Sequence, residues 1–272
     1  MLTHYFIIAA VLLAALLLSL WRLFRQKRLA GRTVLLLILF GAVALGGALG
    51  LYRYVILPER LLQARIDAAQ QQMRRLPGYR IVQQQEPALW RQLNAELATE
   101  IRAGASPSQA TGASRAMLAD LLNQRIGRAG DKAINHYISV SLRQMESLRA
   151  RDVQLCFRFL FPQVGGGVNL NDALPESLVQ DDLNGIEQLL RDSVGPERPV
   201  DLRAAHQHLN DVVQQLYLKW GSDLQWLNAP ADAHVNRQKM CDMTIDLYRA
   251  ILALPHKQSA NILRMMLSAN AG

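Results

Sequence analysis

The stretch PERLLQARIDAAQQQMRRLPG, residues 58–78, decides how the chain is read. Leu62, Ile66, Ala69, Met73 and Leu76 recur at alternating spacings of four and three. That period places them on one stripe of an α-helix and does not fit the period of two that a half-buried strand requires. Pro58 suits a first helical turn, and Pro77-Gly78 ends the run. The stripe covers two heptads, which suits a membrane-proximal stalk helix packed on its own domain or, as the alternative, a dimer seam.

Upstream of this helix lie two apolar runs. The first, residues 5–21 (YFIIAAVLLAALLLSLW), carries no charge; the second, residues 33–57 (TVLLLILFGAVALGGALGLYRYVIL), carries only Arg53. Each is long enough to cross a hydrocarbon core of about 30 Å as a helix. Trp21, Tyr52 and Tyr54 stand near run ends, where amphipathic rings favour the headgroup zone. A cleaved signal peptide would have a basic leader, but residues 1–4 hold no Lys or Arg, so a retained span is expected.

Between the runs, residues 22–32 hold Arg22, Arg25, Lys27, Arg28 and Arg32 and no acid. Short basic loops stay cytoplasmic. Residues 1–57 are therefore expected to form a transmembrane hairpin with an inward turn, in a bacterial inner membrane, with the C-terminal part in the periplasm. Arg53, Arg60 and Arg65 compete with that orientation at lower density. In the second run Ala42, Gly46 and Gly50 fall on one face, at a spacing that lets helix backbones approach closely. Packing of the two spans on each other, with Ala10 and Ala14 facing this stripe, and a homodimer are the two arrangements it allows.

The net charge of +8 does not indicate a nucleic-acid partner. Residues 1–57 hold six positive charges and no negative ones, leaving 24 and 22 for the rest. A nucleic-acid module needs a concentrated basic face. Residues 58–151 are net basic and residues 152–272 net acidic, as ordinary surface scatter or as halves that attract each other.

Downstream of Gly78 the pattern stays helical through residues 79–272. Pro87, Pro107 and Pro175 stand where first-turn prolines belong. Trp90, Leu93, Leu97 and Ile101 form one inward stripe, and Ile134, Ile138, Leu142, Met145 and Leu148 another, with Asp131 as an expected cap. VQLCFRFLF reads as a buried helix and QVGGGVNLND as a loop. The expected fold is all-α: the hairpin, the stalk at 58–78, and a bundle of roughly eight helices.

The two cysteines, Cys156 and Cys241, lie in apolar helical contexts. In an oxidising compartment they read as a disulfide; in a reducing one they read as buried thiols. Residue patterns for chemistry are sparse. There is no HExxH, CxxC or GxSxG, and Gly165-Gly166-Gly167 lacks the Lys-Ser/Thr of a phosphate loop. It reads as an inter-helix loop, or as one that binds a ligand or partner. His206 and His208 point to different helix faces. Asp181-Asp182 read as acids at a helix start, and Asp242 and Asp246 as a solvated face. Trp90, Trp220, Trp226, Phe157, Phe159 and Phe161 read as core. No catalytic residue, metal ligand or cofactor is expected. The expected partners are the lipid bilayer and other envelope proteins. The expected role is a scaffold or accessory component of an envelope assembly, more readily than an enzyme. The alternatives are an envelope enzyme on a membrane-proximal lipid or peptidoglycan substrate, and a cytoplasm-facing regulatory domain.

Overall fold

The computed structural model describes residue 22 and residues 31–268. No strand occurs among them; the fold is all-α. Contacts divide the chain into two compact units, Met1–Ala64 and Arg65–Gly272.

In the first unit, α1 (Gly31–Leu51) runs into a π-helical turn, Tyr52–Ile56, and then into α2 (Leu57–Arg75). Among the described residues, one helical run, Leu35–Arg75, is long and apolar enough to cross a membrane, and its most apolar window is wholly unburied. Leu35, Phe40 and Val43 are each about two-thirds exposed or more, as expected of side chains whose solvent is lipid rather than a protein core. Nothing lies within 4 Å of where a Cβ on Gly46 or Gly50 would stand, and Ala42 is exposed. The run 5–21, with Ala10, Ala14, Arg25, Lys27 and Arg28, lies outside the described residues. Among the described residues a single apolar helix is seen, and the other half of the expected hairpin lies outside them.

In the second unit, Ile66, Ala69 and Met73 of α2 are buried. The chain then turns through Gly78 into α3 (Tyr79–Gln85), α4 (Pro87–Arg102), α5 (Pro107–Ala113) and α6 (Arg115–Arg125). Gly78 has φ +76°, and a Cβ there would meet Ile186 Cγ2 at 2.8 Å, so both the backbone and the packing require glycine. Ser106 caps α5 with a reciprocal capping box through Gln109.

After a short 3₁₀ turn comes α7 (Asp131–Arg151), whose stripe Ile134, Ile138, Leu142, Met145 and Leu148 is buried. Then follow α8 (Val153–Leu160), the single turns α9 (Pro162–Gly165) and α10 (Leu170–Ala173), α11 (Glu176–Asp192), α12 (Leu202–Trp220), α13 (Arg237–Leu252) and α14 (His256–Ser268). α7 is the hub: α8, α11, α13 and α14 all pack on it.

Two expectations are corrected. Asp131 does not cap α7; Gly130 takes that position. The Asp131 carboxylate instead accepts from buried Arg264 at 2.6 Å, a partner 133 positions away that no local pattern announces. Asp181 and Asp182 are not at a helix start, because α11 begins at Glu176. They sit in its interior, where arginines rather than the helix dipole balance their charge: Arg143 for Asp181 and Arg115 for Asp182.

Cys156 on α8 and Cys241 on α13 are joined in a disulfide with Cα atoms 6.1 Å apart. Both are fully buried, among Leu142, Met145, Leu148, Leu170 and Ile245. The nearby Phe157 packs with Met240, Met243, Phe161, Trp220 and Trp226. Phe157, Phe161, Trp220 and Trp226 therefore share one aromatic cluster, while Phe159 belongs with the disulfide.

Candidate functional site

α6, α7, α8 and α11 line an open cleft of about 500 Å³, a size typical of small-molecule sites. Its apolar wall includes Leu122, Phe159, Val168 and Ile186. The disulfide fixes that wall, since Phe159 and Val168 pack on the cluster that surrounds it.

The remaining wall is polar. Asp182 projects from the middle of α11 with its side chain 4% exposed, paired to Arg115 at the start of α6. A buried carboxylate demands such a partner, because isolated it would lose several kcal/mol of hydration. Tyr137 on α7 lines the same space. Burial pushes its phenol well above the usual tyrosine range, and the negative charge of Asp182 adds to that. It stays protonated at any physiological pH.

Two residues of this lining carry a buried donor atom that lacks a partner. Gln144 is 1% exposed, and its Nε2 has no hydrogen-bond partner. Arg158 on α8 has a buried Nε without a partner and, among the described residues, makes no ion pair. Buried polar groups are satisfied in the great majority of cases, and an orphan costs about 1–3 kcal/mol, so two in one cavity wall need a reason.

The Gly165-Gly166-Gly167 loop seats this wall. A Cβ on Gly165 would stand 2.8 Å from Arg158 Cγ and 3.0 Å from its Cα. Gly166 and Gly167 have φ +83° and +70°, the left-handed region that glycine enters freely. Each glycine thus has its own cause, and Gly167 itself lines the cavity.

Other residues singled out in the sequence are used structurally. Asp242 is held by both nitrogens of the Arg149 fork, at 2.7 and 3.2 Å. Asp246 accepts from Lys219, Trp220 Nε1 and Arg249. These carboxylates are occupied by cations and an indole. His206 is exposed, while His208 is half-buried with an unpartnered Nδ1. Among the described residues, no three His, Cys, Asp or Glu side chains are grouped so as to hold a metal ion.

Gln144 and Arg158 were not singled out in the sequence. For Gln144 a signal existed. Ala133, Val140, Gln144 and Leu148 continue a second buried face of α7, so an amide occupies a slot that the pattern reserves for an apolar side chain. Arg158 gave no such signal: in QLCFRFLF it reads as the one solvated position of a buried helix.

Compared with known proteins, the chain matches no family model, no curated protein and no solved structure.

Proposed function

We propose that the protein is an envelope component of a bacterial inner membrane, anchored by its N-terminal apolar segments, whose periplasmic helical unit works by binding partners in an envelope assembly. The observation that carries this reading is the covalent pairing of Cys156 with Cys241 on a chain that also bears an exposed apolar helix within residues 35–75. Disulfides persist in oxidising compartments, and the basic stretch 22–32 favours an inward turn with the helical unit outside. Anchoring by two spans, through residues 5–21 and 33–57, is part of this proposal.

Reporter fusions after Gly272 test it. Alkaline phosphatase activity without β-galactosidase activity supports a periplasmic unit. The reverse result overturns it in favour of a cytoplasmic regulatory domain, in which the bridge would not form. The interaction role is tested separately, by cross-linking in intact membranes followed by purification. Defined cross-linked species support it, and recovery of the uncross-linked chain alone counts against it.

One observation favours a second reading, an enzyme on a membrane-proximal lipid or peptidoglycan substrate. Asp120 and Asp182 line the same cavity. Against it stands the pairing of Asp182 with Arg115, which already occupies this carboxylate.

A further inference from the structure

Positions 33–52 carry no charge and are bracketed by Arg32 and Arg53. As an α-helix they measure about 30 Å, the thickness of a hydrocarbon core. The helix changes character where they end. Tyr52–Ile56 is a π-helical turn in which the Leu57 N–H bonds the Tyr52 carbonyl, and Pro58 follows with no N–H to give. Neither residue therefore supplies a donor to the Arg53 carbonyl. A carbonyl without a donor is not tolerated in lipid-exposed hydrocarbon, so this turn belongs at the headgroup level. Tyrosine favours that level, and Tyr54 is 78% exposed.

Two cations stand on this turn and just beyond it. Arg53 and Arg60 are exposed, and among the described residues neither makes an ion pair or a side-chain hydrogen bond. Ahead of Asp67 the chain has one acid, Glu59. Its neighbours on the helix surface are Val55, Ile56, Leu62 and Gln63, so neither arginine shares its face. Helical side chains lean toward the N-terminal end, which directs Arg60 back toward the turn. Arg53 snorkels out of the hydrocarbon toward the same level. Leu49 and Leu51, at the end of α1, are each more than half exposed, so an acyl chain finds apolar surface next to the cations.

We propose that Tyr52–Arg60 binds an anionic phospholipid, with Arg53 and Arg60 on its phosphodiester and its acyl chains along the end of α1. The inference rests on the membrane anchor proposed above, but not on which leaflet this turn meets. A guanidinium fork matches phosphate oxygens in geometry. A zwitterionic headgroup brings its own ammonium to the phosphate, whereas an anionic one leaves its charge for the arginines.

The test uses the full chain in nanodiscs of equal parts phosphatidylglycerol and phosphatidylcholine. The photo-crosslinker p-benzoylphenylalanine is placed at position 54, beside Arg53, or in place of the exposed Val43 of α1. Lipid adducts are identified by mass spectrometry after irradiation. The expected result is equal capture of both lipids at position 43. Position 54 captures phosphatidylglycerol at least about fivefold over phosphatidylcholine, the factor that one interfacial arginine gives. Arg53→Gln with Arg60→Gln removes that preference, whereas Arg53→Lys with Arg60→Lys, which keeps both charges, retains most of it.

Lipid adducts at position 43 with equal capture of the two lipids at position 54 overturn the site and leave the anchor standing. So does a preference that survives the glutamine pair. Absence of lipid adducts at position 43 overturns the anchor, and the site with it.

Discussion

Arg115 and Asp182 stand 67 positions apart in the chain and meet as an ion pair in the wall of one cavity. The pair ties the start of α6 to the middle of α11. The side chains are 18% and 4% exposed, so water screens neither charge effectively.

Removing one member should therefore cost far more than removing both. Arg115→Ala leaves Asp182 buried and unpaired, with an expected loss of about 3 kcal/mol. The double variant Arg115→Met, Asp182→Leu should recover most of that loss. Thermal and urea unfolding followed by circular dichroism measure both. Equal losses in the single and double variants would show that the pair carries no mutual dependence.

Glu187 sets a pH dependence. Partial burial opposes its ionisation, but hydrogen bonds from Arg191 and Arg80, with help from the Gly78 amide, prevail and hold the carboxyl below its usual range. A carboxyl with a depressed folded-state pKa stabilises above its unfolded pKa, near 4.3. That contribution is lost as the pH falls through the folded value. Both arginines are about half exposed, so Glu187→Gln should cost only about 1 kcal/mol at neutral pH. The gap between variant and wild type should close in acid below about pH 4; a gap that persists there would assign the loss to packing.

Gly78 and Gly104 form an internal comparison. Both have positive φ, +76° and +99°. Only Gly78 also faces a close neighbour, Ile186, whereas nothing lies within 4 Å of a Cβ on Gly104. Gly104→Ala should lower stability by about 1 kcal/mol through backbone strain alone. Gly78→Ala should exceed it by about 1 kcal/mol or more through overpacking. Matched melting curves decide the order, and a reversed order would rule out the steric account.

Reduction should weaken the helical unit sharply. The bridge spans 85 positions, and a loop of that length corresponds to about 4–5 kcal/mol in the chain-entropy treatment. The variant Cys156→Ser, Cys241→Ser should melt at a lower temperature that no longer responds to dithiothreitol. If wild type and variant respond alike to reductant, the bridge is not what holds α8 to α13.

Periodicity made the core faces legible. The stripes on α4 and α7 are spelled by local spacing, and so are the proline starts of α4 and α5. The candidate site was not legible, because its parts are long-range. Arg115 finds Asp182 across 67 positions and Arg264 finds Asp131 across 133; spacing along one helix carries no information about such partners. The misplacement of Asp181-Asp182 has the same origin: the proline at 175 starts the helix correctly, but the charges that balance these acids come from other helices. The glycine triplet was visible as a loop, yet its fit against Arg158 depends on the return of the chain after α9.

The bridge also has a mechanical consequence. Cys156 and Cys241 enclose α9, α10, α11 and α12 in a closed covalent ring. A tension applied between Arg65 and Ser268 passes through the sulfur atoms and bypasses everything inside the ring. The segment between the cysteines, a separation of 85, then yields no length, hiding roughly 290 Å of contour at about 3.4 Å per residue. Stretched in an optical trap, the oxidised protein should extend by that much less than the reduced one. The bridge thus supplies an inextensible link through the interior of the helical unit.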